Sequence, residues 1–338
     1  MIFEQIPTGG CQSYLLGCAE THAAIVIDPN LHQIDHYLTL AAKHDLRIRY
    51  LLDTHTHADH FSAAKEMGMR LNACVVTHRL SPAPYVELRL DDDNKLAVGR
   101  ITFQALHTPG HTRDSMCLVA EDHIFTGDTL LIGGAGRTDL PTGDPDALYD
   151  SLFHRVLKLD PKLKIHPAHD YQNHASSTLG EEIATNPKLQ KRDRESFVAM
   201  MQGLNLERPT HLTEALRANM HGGKPVCQLM AEAAGRIAFI EPEELAAADN
   251  PLVLDVREHE AFAAGHIPGA LHLPRGQLEL RVDRQLPDPG RRIVVCCGDG
   301  EMAILAAATL RELGFINVAA LHGGLKAWQN KGFPLSTV

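Results

Sequence analysis

The chain has 338 residues, enough for two domains that each bury a core, and its 44% hydrophobic and 22% charged content is that of a soluble globular protein. Its net charge of -10 argues against a general nucleic-acid or acidic-membrane binder, and no apolar run reaches a membrane-spanning length. Met1-Ile2-Phe3-Glu4-Gln5 has no basic stretch before an apolar core, and the seven cysteines are scattered and odd in number, so a reduced, cytoplasmic setting is the expectation.

In chain order, 13–16 and 23–28 are short apolar runs, and Asp28-Pro29-Asn30 closes the second as a turn. An antiparallel, hairpin-like start to a sheet is expected there. Helical spacing covers 34–44, and 47–53 reads as a buried strand. Thr54-His55-Thr56-His57-Ala58-Asp59-His60 follows, then a helix to about Met69 and a strand at 73–77. Residues 81–98 read as a loop with one short strand. The strand expected at 101–106 runs into His107-Thr108-Pro109-Gly110-His111, where Pro-Gly forces a turn. Residues 115–120 and 123–126 read as a hairpin ending at Gly127-Asp128. A helix is expected at 146–157, a strand at 162–166 leading to Pro167-Ala168-His169, and two helices within 176–220.

Around Met220-His221-Gly222-Gly223-Lys224-Pro225 the pattern restarts. Strands are expected at 252–256, 293–296 and 318–321, with helices at 302–313 and 324–330. Alternation of strand and helix argues for a parallel sheet covered on both faces. The expected division is 1–222, a linker at 223–235, and 236–338.

The densest chemistry is His55-x-His57-x-Asp59-His60 at a strand-to-helix junction, the edge where α/β layers bind ligands. His111, Asp128 and His169 stand at three further strand ends. A catalytic metal site needs imidazoles and carboxylates converging from different strand ends, with open positions for substrate. In an extended segment His55 and His57 point to the same side and can share an ion, while Asp59 and His60 could serve a neighbouring one. His22, His36, His44, His123, His154 and His174 occur singly and read as surface or satisfied core residues.

Thr54–His60, Thr108-Pro109-Gly110-His111, Thr126-Gly127-Asp128 and Pro167-Ala168-His169-Asp170 together resemble the metallo-β-lactamase superfamily. The resemblance implies an αββα sandwich. Within it, Phe125–Ile132, Gly136-Arg137-Thr138-Asp139, Tyr149, His166–Tyr171, Asn186-Pro187 and Leu204-Asn205-Leu206 are similar to persulfide dioxygenases. That likeness implies one Fe(II) held by His55, His111 and Asp128, leaving room for O2 and a substrate sulfur. It implies oxidation of glutathione persulfide, or a similar thiol persulfide, to sulfite and thiol. His57, Asp59, His60 and His169 would orient ligands and waters. Arg137 and Tyr171 match glutathione-contacting positions, and Arg217 is a weaker substrate candidate. The alternative is a glyoxalase II-like thioesterase, with the same seven ligands around two Zn ions and a non-catalytic second domain.

Asp255-Val256-Arg257, Gly265–Ala270, Val294-Val295-Cys296-Cys297 and Leu321–Trp328 resemble a rhodanese domain. The likeness implies that Cys297 carries sulfur as a persulfide, in a loop of backbone N–H groups before a helix. The loop departs from the common pattern: Met302 stands where Arg or Lys is frequent, Ala303 where Ser or Thr is, and Asp299 and Glu301 would repel thiosulfate. A transferase using another donor, a persulfide carrier and a structural remnant all remain readings of this domain. The expected partners are a small thiol persulfide and O2, with no nucleic acid and no membrane; homo-oligomer formation stays open.

Overall fold

In the N-terminal part, short apolar runs build two sheets. The computed structural model describes all residues except 171–175, 192, 205, 208, 210, 211, 250 and 338. The chain divides into two units, Met1–Gly223 and Lys224–Val338. The strands of the first sheet are β1 (Ile2–Thr8), β2 (Cys11–Gly17), β3 (Ala23–Ile27), β4 (Arg47–Leu52), β5 (Cys74–His78) and β6 (Leu88–Leu90), paired in that order. β1, β2 and β3 are antiparallel, and β3 to β6 are parallel. The second sheet holds β7 (Lys95–Val98), β8 (Ile101–His107), β9 (Met116–Ala120), β10 (His123–Gly127) and β13 (Lys164–Pro167), in the order β13-β10-β9-β8-β7. β11 (Leu130–Leu131) and β12 (Gly134–Ala135) form a small separate hairpin.

Side-chain alternation explains the layers. Along β2, Tyr14 and Leu16 join Ile27, Phe103, Leu118 and Phe125 in a core between the sheets. Leu15, from the same strand, faces the other way, toward Tyr37 and Ala41 of α1 (Ile34–Lys43) and Met67 of α2 (Ala64–Leu71). On the far side, Ile124 and Ile165 meet Leu148 of α3 (Pro145–Tyr149), Leu179 of α4 (Leu179–Thr185) and Phe197 of α5 (Arg194–Gln202). The result is an αββα sandwich of the metallo-β-lactamase type. Each fully buried Phe or Leu contributes about 1.5–3 kcal/mol to holding the layers together.

The structure departs from the sequence expectations in several places. β1 was not expected, because its polar residues and Pro7 mask a half-exposed edge strand. The segment 81–98 holds two strands, β6 and β7. The helix expected at 146–157 is composite: α3 continues as a π-helical stretch, Asp150–Arg155, then a 3-10 turn, Val156–Lys158. Between 176 and 221, where two helices were expected, the described residues form three α-helices, the third being α6 (Leu212–His221), and a 3-10 turn at Pro187–Gln190. A capping box of Thr178 and Glu181 starts α4.

The second unit carries five parallel strands: β14 (Ala238–Ile240), β15 (Leu252–Asp255), β16 (Leu271–His272), β17 (Ile293–Cys296) and β18 (Val318–Leu321), in the order β14-β18-β17-β15-β16. Its helices are α7 (Val226–Ala234), α8 (Pro242–Ala247), α9 (His259–Ala264), α10 (Leu278–Gln285), α11 (Glu301–Glu312) and α12 (Gly324–Asn330). One face of the sheet buries Leu254, Val295 and Ala306, the other Val294, Leu321 and Trp328. The stretch 223–235, expected as a linker, contains α7, which packs against α11. No described helix is long and apolar enough to cross a membrane.

Candidate metal centre

Four strand ends converge at one edge of the sandwich. β4 leads to His55, β8 to His111, β10 to Asp128 and β13 to His169. One potential ligand atom each from His55, His111 and Asp128 lies within 4.8 Å of the others, and all three residues are buried.

Hydrogen bonds fix which nitrogen each imidazole presents. The Thr54 hydroxyl donates to Asp28 Oδ2 at 2.9 Å, so it accepts from His55 Nδ1 at 3.0 Å. His55 Nε2 is left buried with no hydrogen-bond partner. His111 Nδ1 donates to the carbonyl of Arg137 at 2.8 Å, and its Nε2 lies 3.5 Å from Asp128 Oδ2. Burial, reinforced by His57, pushes His55 well below the usual imidazole range and keeps it neutral. Burial opposes the charge on Asp128, but His169, then His111 and His55, hold its carboxyl below the usual carboxylate range. Neutral imidazoles and an ionised carboxylate are the donor states a metal requires.

The other residues of the stretch make contacts of their own. Residues 54–60 bend instead of running extended. His57 Nε2 donates to Asp28 Oδ1 at 3.0 Å and lies 3.9 Å from Asp53 Oδ1, so His57 groups with two buried carboxylates. Its Nδ1 and the Nε2 of His60 are also buried without partners. His169 bridges Asp128 Oδ1 at 2.7 Å and Asp59 Oδ2 at 2.9 Å. Asp59 also receives His60 Nδ1 at 3.0 Å and the thiol of Cys11 at 3.3 Å. These buried, unpartnered nitrogens fit a metal ion, because leaving one unsatisfied costs ~1–3 kcal/mol.

Two glycines let the loops close. Gly127 takes φ +50, and a Cβ there would lie 2.6 Å from Thr54 Oγ1. A Cβ on Gly136 would sit 1.8 Å from the carbonyl oxygen of Asp128. Arg137 follows, and its guanidinium holds Asp139 through two bonds of 2.7 Å, plus the carbonyls of Glu207 and Leu206. Arg217 is exposed on α6. Tyr171, the remaining substrate candidate, lies outside the described residues, as do His174 and Asn205.

Sequence reasoning missed Asp28, Cys11, Asp53 and Asn219. Asp28 ends an apolar strand at the same sheet edge as the ligands, a signal that could have flagged it. Asn219 had none: it arrives from α6, where its amide donates to the carbonyls of His57 and His60 at 2.9 Å and accepts from Ser62 N at 3.1 Å. Replacing Asn219 with Ala is expected to weaken metal binding about 10–100-fold while the fold persists. Metal titration of the refolded variant checks this; wild-type affinity would show that α6 does not brace the loop.

In the second unit, Cys297 is fully buried where β17 turns into α11. Its Sγ accepts from Gly300 N at 3.2 Å and Ala303 N at 3.3 Å, and lies 3.8 Å from Asp299 Oδ1. The start of α12 supports the loop: Leu325 N and Lys326 N bond the carbonyls of Cys297 and Gly298 at 2.7 and 2.9 Å. Cys296 is buried on the strand, and burial pushes its thiol well above the usual range.

Residues 6–169 match the metallo-beta-lactamase superfamily and 241–331 a rhodanese-like domain. Persulfide dioxygenase ETHE1, mitochondrial, of Homo sapiens is 38% identical over 214 residues, covering 62% of this chain and 84% of that protein. The crystal structure of ETHE1 from Myxococcus xanthus superposes with a TM-score of 0.64 at 37% identity, covering 65% of this chain and 98% of that one. A hydroxyacylglutathione hydrolase of Anaeromyxobacter dehalogenans is 35% identical over 188 residues, covering 55% of this chain and 71% of that protein.

Proposed function

Because the chain belongs to the persulfide dioxygenase family of the metallo-beta-lactamase superfamily, and carries a rhodanese-like domain, we propose that its first unit oxidises a low-molecular-weight thiol persulfide with O2. Glutathione persulfide is the reference substrate. The balanced reaction takes RSSH, O2 and H2O to RSH, sulfite and two protons: the S–S bond breaks, and the outer sulfur is oxidised as O2 is reduced. The observation that carries this reading is the buried cluster of His55, His111 and Asp128.

These three residues would hold a single Fe(II), which when bound supplies the redox centre where O2 and the persulfide sulfur meet. The chain's own residues do the rest. Thr54 and the Arg137 carbonyl fix the His55 and His111 tautomers. Asp28 fixes His57 through its Nε2. His169 ties Asp128 to Asp59, so the ligand carboxylate keeps its orientation. Arg137 and Tyr171 are the substrate-contact candidates, and Arg217 is the weaker one. For Arg137 the role requires its guanidinium to exchange Asp139 for a substrate carboxylate.

A second reading, a hydrolase with two Zn ions, is favoured by the unpartnered Nδ1 of His57 and Nε2 of His60. Metal analysis with an oxygen electrode separates the two. One iron per chain and persulfide-dependent O2 uptake are expected. Two zinc ions and no O2 uptake would reject the dioxygenase reading. For the second unit, the proposal is a sulfane sulfur carried on Cys297, held by the N–H groups of Gly300 and Ala303.

A further inference from the structure

The hairpin of β11 and β12 joins two parts of the candidate metal centre. It begins two residues after Asp128 and ends two residues before Arg137, whose carbonyl accepts from His111 Nδ1 at 2.8 Å. Each strand has only two residues, and a pair that short does not hold its own shape in water. Something else must fix where the Arg137 carbonyl stands.

Two buried side chains from α4 and its end do so. Asn186 donates its amide to the carbonyls of Leu131 at 3.2 Å and Gly134 at 2.9 Å, one on each strand. Glu182, one turn earlier, accepts from Gly133 N at the tip of the hairpin at 2.8 Å. The same oxygen takes the Asn186 amide at 2.8 Å, and the other takes the Ser177 hydroxyl at 2.6 Å. Among the described residues, every hydrogen bond that Glu182 accepts comes from a neutral donor. A carboxylate is costly to bury unless such donors surround it, so its place here is set by the hairpin and the amide it holds.

His111 has two acceptors near it. Its Nδ1 faces the Arg137 carbonyl, and its Nε2 lies 3.5 Å from Asp128 Oδ2. A carbonyl displaced by about 1 Å no longer holds the Nδ1 proton, because hydrogen bonds weaken steeply with distance. A proton on Nε2 would block the nitrogen that faces Asp128. Resting on the reading of His111 as a metal ligand, we propose that Glu182 and Asn186 are positioning residues for the centre. By clamping the hairpin they hold the Arg137 carbonyl against His111 and keep its Nε2 open to a metal ion.

The test follows the His111 Nδ1 proton by NMR in the zinc-loaded full chain with 15N-labelled histidine, assigned through His111→Gln. Zinc affinity is measured beside it by competition with a chelator. Asn186→Asp sets a carboxylate against Glu182 and two carbonyls; Asn186→Ala is the milder variant should that one fail to fold. Either is expected to speed exchange of the His111 proton with water roughly tenfold and to weaken zinc binding about tenfold. The His55 Nδ1 proton, held by Thr54, should exchange as in the wild type. Glu182→Ala is expected to act like Asn186→Ala, and Glu182→Gln, which keeps an acceptor for Gly133 N, to restore wild-type exchange. Unchanged His111 exchange in folded Asn186→Ala overturns the proposal. So does equal acceleration at His55 and His111, which would make the clamp a general stability contact. A Glu182→Gln variant that restores nothing removes Glu182 from the clamp. Absence of persulfide-dependent O2 uptake in the wild type would fail the dioxygenase reading and leave the proton-exchange result standing.

Discussion

Replacing His111 with Ala is expected to lower persulfide-dependent O2 uptake about a thousandfold, equivalent to ~4 kcal/mol of transition-state stabilisation. His111 is one of three buried residues whose ligand atoms meet, and its Nδ1 is already committed to the Arg137 carbonyl. An Ala side chain leaves Asp128 and His55 as a two-ligand set that cannot hold a metal against dilution. Bound iron should fall in step with activity, with circular dichroism still that of a folded chain. Retention of wild-type iron and activity would remove His111 from the centre. His57→Ala gives the contrast: the imidazole orients through Asp28, so a smaller loss, about 10–100-fold, is expected. If His57→Ala instead abolishes metal binding as completely as His111→Ala, the imidazole is itself a ligand.

Cys297→Ser is expected to abolish retention of sulfane sulfur on the second unit, measured as the mass increment of one sulfur atom after treatment with a persulfide donor. Cys296→Ser should keep that increment. The two thiols are adjacent in sequence but differ in setting. Cys297 Sγ receives two backbone N–H groups at the start of the twelve-residue helix α11, which stabilise sulfur bearing negative charge. Cys296 lies on β17, buried, with its thiol held protonated. No increment on either would leave the second unit as a binding module, and an increment that only Cys296→Ser removes would place the sulfur on Cys296 instead. Asp299, 3.8 Å from the Cys297 sulfur, is expected to disfavour a dianionic donor at this loop.

Much of the candidate site was legible because its residues sit at strand ends, and strands are legible from apolar runs. His55, His111, Asp128 and His169 each follow such a run, and the sheets bring those ends to one edge. The second parallel sheet was equally visible in the runs at β15, β17 and β18. What failed were elements whose signal is weak or non-local. β1 is a polar edge strand, α7 looked like linker, and the 146–157 helix changes its winding along its length.

The sequence by itself determined the chemical inventory: a histidine-rich stretch, an isolated His and Asp in fixed order, and a cysteine between a strand and a helix. It also determined the two-part architecture, because periodicity of apolar residues is local and survives in one dimension. Only the tertiary structure decided the division of labour within the inventory. Which nitrogen of His55 or His111 is free depends on Thr54, Asp28 and the Arg137 carbonyl, partners up to 27 positions away in the chain. Asn219 reaches the same loop from more than 150 residues downstream. Hydrogen bonds are short-ranged and directional, so they register only once folding has brought the partners within about 3 Å.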